Sequence, residues 1–360
     1  MNYEVHVAAN FTHYGTLSGK SNQKFIDWLY KKGVFVHDVS IRRGLGNLLD
    51  NLNALLKINK LMKQEHFSFV HVHTPIASVL GRVMAFKNRV PVIYTAHGFH
   101  FSKTSAKVNW LIFPIEWSLS YITQQLIVIN QEDYLFARRH LHAKSIDYQA
   151  GVGINFNLVK TTTLAEHIEA NKALRDKFNL PDDVRIIVSV GELSARKNHR
   201  IVIEALNKIE RTDVHYVIAG KGHLLSYLKS LAGELDIESQ VHFINYTTAI
   251  RRLNLAADVA ILPSLREGLS RAGLEAIRDG AYLLGSDIRG IKDYIVNDDV
   301  GKTFDPHDSE TLAKLLIQTI DEPRHKLNQQ SIDNLMIFDR KNIDRQMRAV
   351  YKKIGIENAN

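Results

Sequence analysis

Short apolar runs alternate with longer amphipathic ones along most of the chain. Glu4–Ala9 (EVHVAA) alternates polar and apolar positions and predicts a strand, Lys24–Lys32 a helix ending at Gly33, and Val34–Val39 (VFVHDV) a second strand. Leu, Ile and Met recur at helical spacing through Leu48–Gln64, Phe69–His73 (FVHVH) reads as a strand, and a helix runs through Gly81–Phe86. Val90–Tyr94 is the next strand, with Thr95-Ala96-His97-Gly98 as its exit loop. Val108–Thr123 reads as a helix and Leu126–Asn130 (LIVIN) as a strand. Gly151-Val152-Gly153 breaks the rhythm, and Asn155–Pro181 is polar and mostly helical. A second series begins at Arg185, with strands at Ile186–Val190, His215–Ala219, Val241–Ile244, Val259–Leu262 and Tyr282–Gly285. A helix over Arg271–Arg278 stops at Gly280, and a basic amphipathic helix over Arg340–Lys353 comes last. This alternation predicts an α/β chain with two doubly wound parallel sheets. The expected domains are 1–155, joined by a C-terminal helix in 338–360, and 156–337. A cleft is expected between the two, where ligands usually bind.

Composition narrows the class. A chain of 360 residues exceeds one ordinary core, in keeping with two domains. Cysteine is absent, which excludes disulfides and cysteine zinc sites and makes a reducing compartment the natural setting. Met1–Asn10 is short, half apolar and without a basic leader, unlike a signal peptide. Charge is uneven: residues 1–155 hold 17 Lys and Arg against 9 Asp and Glu, whereas residues 156–360 hold 29 of each. The whole excess lies in the first half, pointing to an anionic partner such as phospholipid, a lipid pyrophosphate or nucleic acid. No recognised nucleic-acid module accompanies it, so no nucleic-acid partner is expected. Trp110–Asn130 is interrupted by Pro114, Glu116, Gln124 and Gln125 and is not a membrane span. Within it Trp110, Phe113, Trp117 and Tyr121 fall close to one helical face, with Lys103 and Lys107 before them. A core stripe is the leading reading of that face, and a lipid-interface stripe the alternative.

In the second half, the candidate chemistry collects at the carboxyl ends of predicted strands, the edge where an open parallel sheet binds ligands. One strand ends in Gly191-Glu192-Leu193, and Arg196-Lys197-Asn198-His199 opens the next helix. Arg engages two phosphate oxygens and Lys adds a compact charge, which suits a diphosphate, although a solvated basic turn has the same composition. Ala219-Gly220-Lys221-Gly222 closes the following strand with glycines that permit close backbone approach. Leu265–Gly280 (LREGLSRAGLEAIRDG) puts Glu267 on a strand-to-helix turn and Glu275 about two turns into the helix. The backbone N–H groups of Leu269–Arg271 open that helix as an anion site. Carboxylates on both sides of an anion site suit a nucleotide sugar; the plain alternative is a βα turn with two solvated glutamates. His71 and His73 share one side of a strand, with His97 and His100 nearby, so residue types alone leave a metal site conceivable.

The order GEL…RKN, AGKG, LPSLREGLSRAGLEAIRDG and DIRG resembles the family-4 retaining glycosyltransferases of the GT-B fold. The run HVHTPIASVLGR…VIYTAHGFHF…IEWSLSYITQQLIVINQEDY is similar to their bacterial subgroup that builds capsular, exopolysaccharide and O-antigen repeat units. The similarity covers nearly the whole chain. It implies two Rossmann-like domains facing a cleft. The implied activity moves a sugar from a nucleotide sugar, expected to be a UDP-sugar, to a polyprenyl-diphosphate-linked saccharide. No cofactor or metal is expected, and the chain has no Asp-x-Asp motif. The implied location is cytoplasmic, peripheral on the inner face of the plasma membrane and against its anionic surface.

Position by position, the resemblance gives Glu275 to the nucleotide ribose, Glu267 to the donor sugar, Lys197 to the diphosphate and His97 to the reacting sugar. Arg196 substitutes for an arginine that many members carry where this chain has Glu192. Gly191, Gly220, Gly222 and Asn245 fall on the donor side, the last three near the base pocket. Gly268, Leu269, Ser270 and Arg271 form the helix start whose N–H groups face the diphosphate and sugar. No protein nucleophile is generally agreed for such enzymes, so Glu267 has no nucleophile role, and the family explains the histidines without metal. Asn2–Asn10 resembles the second strand of these proteins, so the expected N-terminal domain lacks its first β–α unit. Ser270 and Tyr282 stand where proline is common, and Asp293 where many relatives have glutamate. Two other readings stay open: a non-catalytic remnant that binds nucleotide only, and an epimerase or phosphorylase on the same fold. The chain has no lysine motif of the kind that serves pyridoxal phosphate in phosphorylases.

Overall fold

The computed structural model describes residues 3–11, 19–41, 47–102, 105–156, 159, 162–322 and 327–357. Lys103, singled out above, lies outside them. The chain forms two compact units, one of Met1–Val128, Asp133–Tyr148 and Arg348–Asn360, the other of Ile129–Glu132 and Gln149–Met347.

The first unit contains β1 (Val5–Ala9), α1 (Gly19–Lys31), β2 (Val34–Asp38), α2 (Leu48–Gln64), β3 (Val70–Val72), α3 (Pro75–Lys87) and β4 (Val92–Ala96). It continues with α4 (Phe113–Ser120), β5 (Gln125–Val128), α5 (Gln131–His140, from Asp133) and β6 (Ser145–Tyr148). Strands β3, β4, β5 and β6 form a four-stranded parallel sheet in that order, and β1 and β2 form a separate parallel pair. The strand expected at Val90–Tyr94 starts two residues later, after Pro91, which has no N–H for a ladder.

The helix expected over Val108–Thr123 is not continuous. Lys107–Ile112 is a 3₁₀ segment and α4 starts only at Phe113, with Pro114 in its first turn. The tighter winding changes the phase of the side chains, so the four aromatics do not share one face. Trp110 and Phe113 pack with Phe101 and Phe136, while Trp117 and Tyr121 meet around His142. Among the described residues no helix is long and apolar enough to cross a membrane.

The second unit holds α6 (Leu164–Phe178), β7 (Arg185–Val190), α7 (His199–Ile209), β8 (Val214–Ala219), α8 (Leu225–Glu234), β9 (Val241–Ile244) and α9 (Ile250–Ala256). Then come β10 (Val259–Leu262), α10 (Arg271–Arg278), β11 (Tyr282–Ser286), β12 (Gly301–Phe304), α11 (Ser309–Ile320), α12 (Gln329–Leu335) and α13 (Arg340–Glu357), which runs on into the first unit from Arg348. Its sheet is parallel, in the order β12-β11-β10-β7-β8-β9. Strand β8 (VHYVIA) is buried at every position, as expected of a central strand covered on both faces. Helix α7 (HRIVIEALNKI) buries Ile201, Val202, Ile203, Ala205, Leu206 and Ile209 in the same core.

Strand order reverses between β7 and β10. Their ladder covers only Ile187–Val188 against Val259–Ala260, although β7 runs to Val190 and β10 to Leu262. The last residues of the two strands are therefore not paired with each other, and the loops leaving them flank a topological switch point.

Candidate active site

The β7–α7 and β10–α10 connections meet at that switch point. Glu267 is the junction: one oxygen, Oε1, accepts hydrogen bonds from Lys197 Nζ at 2.6 Å, Arg196 Nη1 at 3.1 Å and Ser264 Oγ at 2.8 Å. The glutamate and Lys197 side chains are mostly buried, whereas Arg196 is half exposed. The backbone ties the loops as well, since Leu265 N donates to Arg196 O at 2.8 Å and Arg196 Nη1 also reaches Arg266 O at 3.2 Å.

Two helices begin here without a side-chain cap. Helix α10 starts after Ser270 and α7 after Asn198, and neither has an acidic residue in its first turn. By contrast α6 carries a full capping box from Thr163 and Glu166, and α11 is capped by Asp308. The first-turn N–H groups of α7 and α10 and the positive ends of their dipoles suit an anion. Further along α10, Glu275 accepts from Arg271 Nε at 2.7 Å.

The glycines answer first to the packing of the loops. A Cβ on Gly220 would lie 1.8 Å from Gly191 O, and one on Gly222 would lie 2.1 Å from Leu193 O. Gly191 itself sits against the Lys197 side chain. Gly290, at φ +77°, abuts the carbonyl of Gly268, which presses the DIRG turn against the Glu267 loop. Leu269 covers Gly151, and Asn245 is exposed just after the edge strand β9.

Two cations missing from the sequence reading belong to this neighbourhood. Arg266 is held below the usual arginine value by burial and by Arg196 and Arg289, with Glu267 opposing. Crowded guanidinium groups mark a place of positive potential. Arg266 was visible beside Glu267 and Arg289 within DIRG, but only the fold brings them together.

His97 belongs to the first unit and follows β4 directly. Its Nε2 is 3.3 Å from Nδ1 of His73, which follows β3. Behind them His71 contacts Tyr351 Oη through Nδ1 and Thr95 Oγ1 through Nε2, both at 2.8 Å. Burial and neighbouring imidazoles push His71 down to about 3 and His73 to about 4, and burial also lowers His97, so the three stay neutral near pH 7. Among the described residues the His/carboxylate group close enough to hold a metal ion is instead Glu4, His6 and Glu65. There His6 is already engaged by Glu4 at 3.0 Å and by His37 at 2.9 Å.

Residues 170–334 match the family described as Glycosyl transferases group 1, and residues 3–130 the one described as Glycosyl transferase 4-like. EpsD of Bacillus subtilis (strain 168), a glycosyltransferase by name, is 30% identical over 98% of this chain and 89% of its own. A UDP-Gal:alpha-D-GlcNAc-diphosphoundecaprenol alpha-1,3-galactosyltransferase of Escherichia coli is 26% identical over 77% of this chain and 72% of its own. In fold, the chain is similar to Anabaena HepE, crystallised with UDP and glucose, at a TM-score of 0.75 and 19% identity over 92% of this chain and 89% of that one. The two parallel-sheet units, the family matches and the full-length likeness to EpsD agree: the chain belongs to the GT-B glycosyltransferases of family 4, in their bacterial exopolysaccharide and O-antigen group.

Proposed function

We propose that this glycosyltransferase moves a hexose from a UDP-sugar to a saccharide carried on a polyprenyl diphosphate, with retention and without a metal ion, at the cytoplasmic face of the membrane. The observation that carries the reading is the Lys197–Glu267–Arg196 junction at the switch point, beside two uncapped helix starts. Breaking the sugar–phosphate bond builds charge on the diphosphate. Fixed cations and helix N–H groups stabilise that charge without reorganising. A diphosphate here would share Lys197 and Arg196 with Glu267, whose carboxylate then serves to hold both cations and to accept from a donor hydroxyl. Glu275, on α10, is assigned to the ribose and Asn245 to the base side. Gly191, Gly220 and Gly222 hold the loops around them, and Gly268–Arg271 present the helix start. His97, kept neutral, is assigned to the reacting sugar as a hydrogen-bond partner. The names of the galactosyltransferase relative and of the UDP-bound HepE crystal support the acceptor and donor classes.

The test is a screen of nucleotide-sugar donors with membranes supplying lipid-linked acceptors. Expected are transfer unaffected by EDTA and severe loss in Lys197→Ala and Glu275→Ala proteins that stay folded. UDP binding without transfer from any donor would instead identify a remnant, and epimerised donor without an acceptor would identify an isomerase.

A further inference from the structure

Helix α10 begins over a buried tyrosine. Tyr294 lies in the turn that follows DIRG, where its backbone N–H donates to Ile291 O at 3.2 Å, and its side chain is among the largest that are wholly enclosed. The ring meets Phe338 edge-on, at 6.1 Å between centres. Its far end runs up against the first turn of α10: a Cβ on Gly273 would lie 2.3 Å from Tyr294 Oη and 2.9 Å from Cζ. Glycine, a poor helix former, is therefore the residue that lets this ring in. The hydroxyl has no hydrogen-bond partner of good geometry, an arrangement that costs stability when the group is buried. Burial and then the Glu267 carboxylate hold its proton well above the usual tyrosine value, and Ser270 is near enough to oppose them. A phenylalanine would fill the same space without stranding a hydroxyl, so packing alone does not account for a tyrosine here.

We propose that Tyr294 is a positioning residue for the sugar-nucleotide donor, holding the first turn of α10 from beneath and closing a hydrogen bond onto Ser270 when a diphosphate settles on that turn. The start of α10 needs such support. Ser270 precedes it without a side-chain cap, and no acidic residue stands in the first turn. An anion drawn to the N–H groups of Arg271, Ala272 and Gly273 pulls on a turn that no cap fixes. Ser270 is itself buried, so a bond between the two hydroxyls is shielded from water and adds to the hold. Tyr294 acts on the donor only through Ser270 and Gly273, and the role rests on the reading of the site given above.

Calorimetric titration of UDP and of uridine, beside thermal unfolding without ligand, tests the assignment on the full chain. Tyr294→Phe should melt at or above the wild-type temperature, because the stranded hydroxyl is gone, yet bind UDP about tenfold more weakly. Uridine, which lacks the diphosphate, should bind both proteins within about twofold. A hydroxyl with a purely structural role would do the reverse: its loss would lower the melting temperature and leave the ratio of UDP to uridine affinity alone. That result overturns the proposal. Gly273→Ala gives a second check. Its collision with the ring should destabilise the protein and weaken UDP binding, and adding Tyr294→Leu should recover most of the stability, as coupled neighbours do. Gly273→Ala without loss of stability overturns the placement of the ring under this turn. Wild-type protein that binds no UDP counts against the proposed donor site, and the role of Tyr294 falls with it. Equal UDP binding by the wild type and Tyr294→Phe overturns this role alone.

Discussion

Glu267 and a donor diphosphate would make opposite demands on the same two cations. Lys197 Nζ and Arg196 Nη1 both point at Oε1 of Glu267, at 2.6 and 3.1 Å. A phosphate oxygen brought to these cations enters the field of that carboxylate, and like charges a few ångströms apart repel. The two single substitutions should therefore part company. Lys197→Ala removes a cation and leaves the carboxylate, so UDP affinity and turnover should both fall, turnover by about 10² to 10³. Glu267→Gln keeps both cations and removes the repulsion, so UDP should bind at least as tightly while turnover falls. Calorimetric UDP titration beside initial rates separates the two. A parallel loss of UDP binding in Glu267→Gln would mean that the carboxylate serves only to hold the cations in place.

At the scale of elements, the first unit is held by a buried ion pair that has no part in the proposed chemistry. Arg82 on α3 donates to Glu116 on α4 at 2.8 Å, and its guanidinium lies 4.3 Å from the ring centre of Tyr94 on β4. Both charges are almost wholly enclosed. Glu116→Ala strands a buried cation and should cost about 3–5 kcal/mol, whereas Arg82→Met combined with Glu116→Leu should cost far less. Urea unfolding of the single and double variants measures the difference. Tyr94, Arg82 and Glu116 stand in three separate stretches of sequence, which is why no periodicity announced the clamp. Periodicity did announce the elements whose burial is one-sided or complete: Leu48–Gln64 and Arg271–Arg278 form helices over those residues, and β8 is a buried run, apolar but for His215. It failed at Ser145–Tyr148 (SIDY) and Gly301–Phe304 (GKTF), short polar strands at sheet edges where only one neighbour supplies the ladder. Within the site, the separate cations and carboxylates were legible from their turns. That β10 lies beside β7, and so joins Glu267 to Lys197 across 70 positions, is a property of strand order. At Gly220 and Gly222 the structure adds a second reason for glycine, since loop-on-loop contact already forbids a side chain there.

Across the whole molecule, buried imidazoles set how the fold responds to acid. His71 in the first unit is held at about 3, and His199 and His242 in the second at about 4, each mainly by burial, against 6.5 for an unburied histidine. In the unfolded chain these groups take up protons as the pH drops through 6.5, and in the folded chain they do not until about 4. The unfolded state therefore binds more protons within that window. Their contribution is undiminished above pH 6.5 and declines as the pH falls toward 4, by up to about 1.4 kcal/mol per pH unit for each proton. Carboxylates whose values are lowered by arginine, such as Asp213 and Asp321 beside Arg211, add their loss only at lower pH. Because the histidines are spread over both units, both should soften together, and thermal unfolding followed from pH 7.5 to 4.5 should show a midpoint that drops steadily below about 6.5. Replacing His242, which pairs with His215 at 2.9 Å, by Phe should flatten the part of that slope belonging to the second unit. A midpoint that stays level or rises on acidification would mean that these side chains are open to solvent and titrate alike in both states.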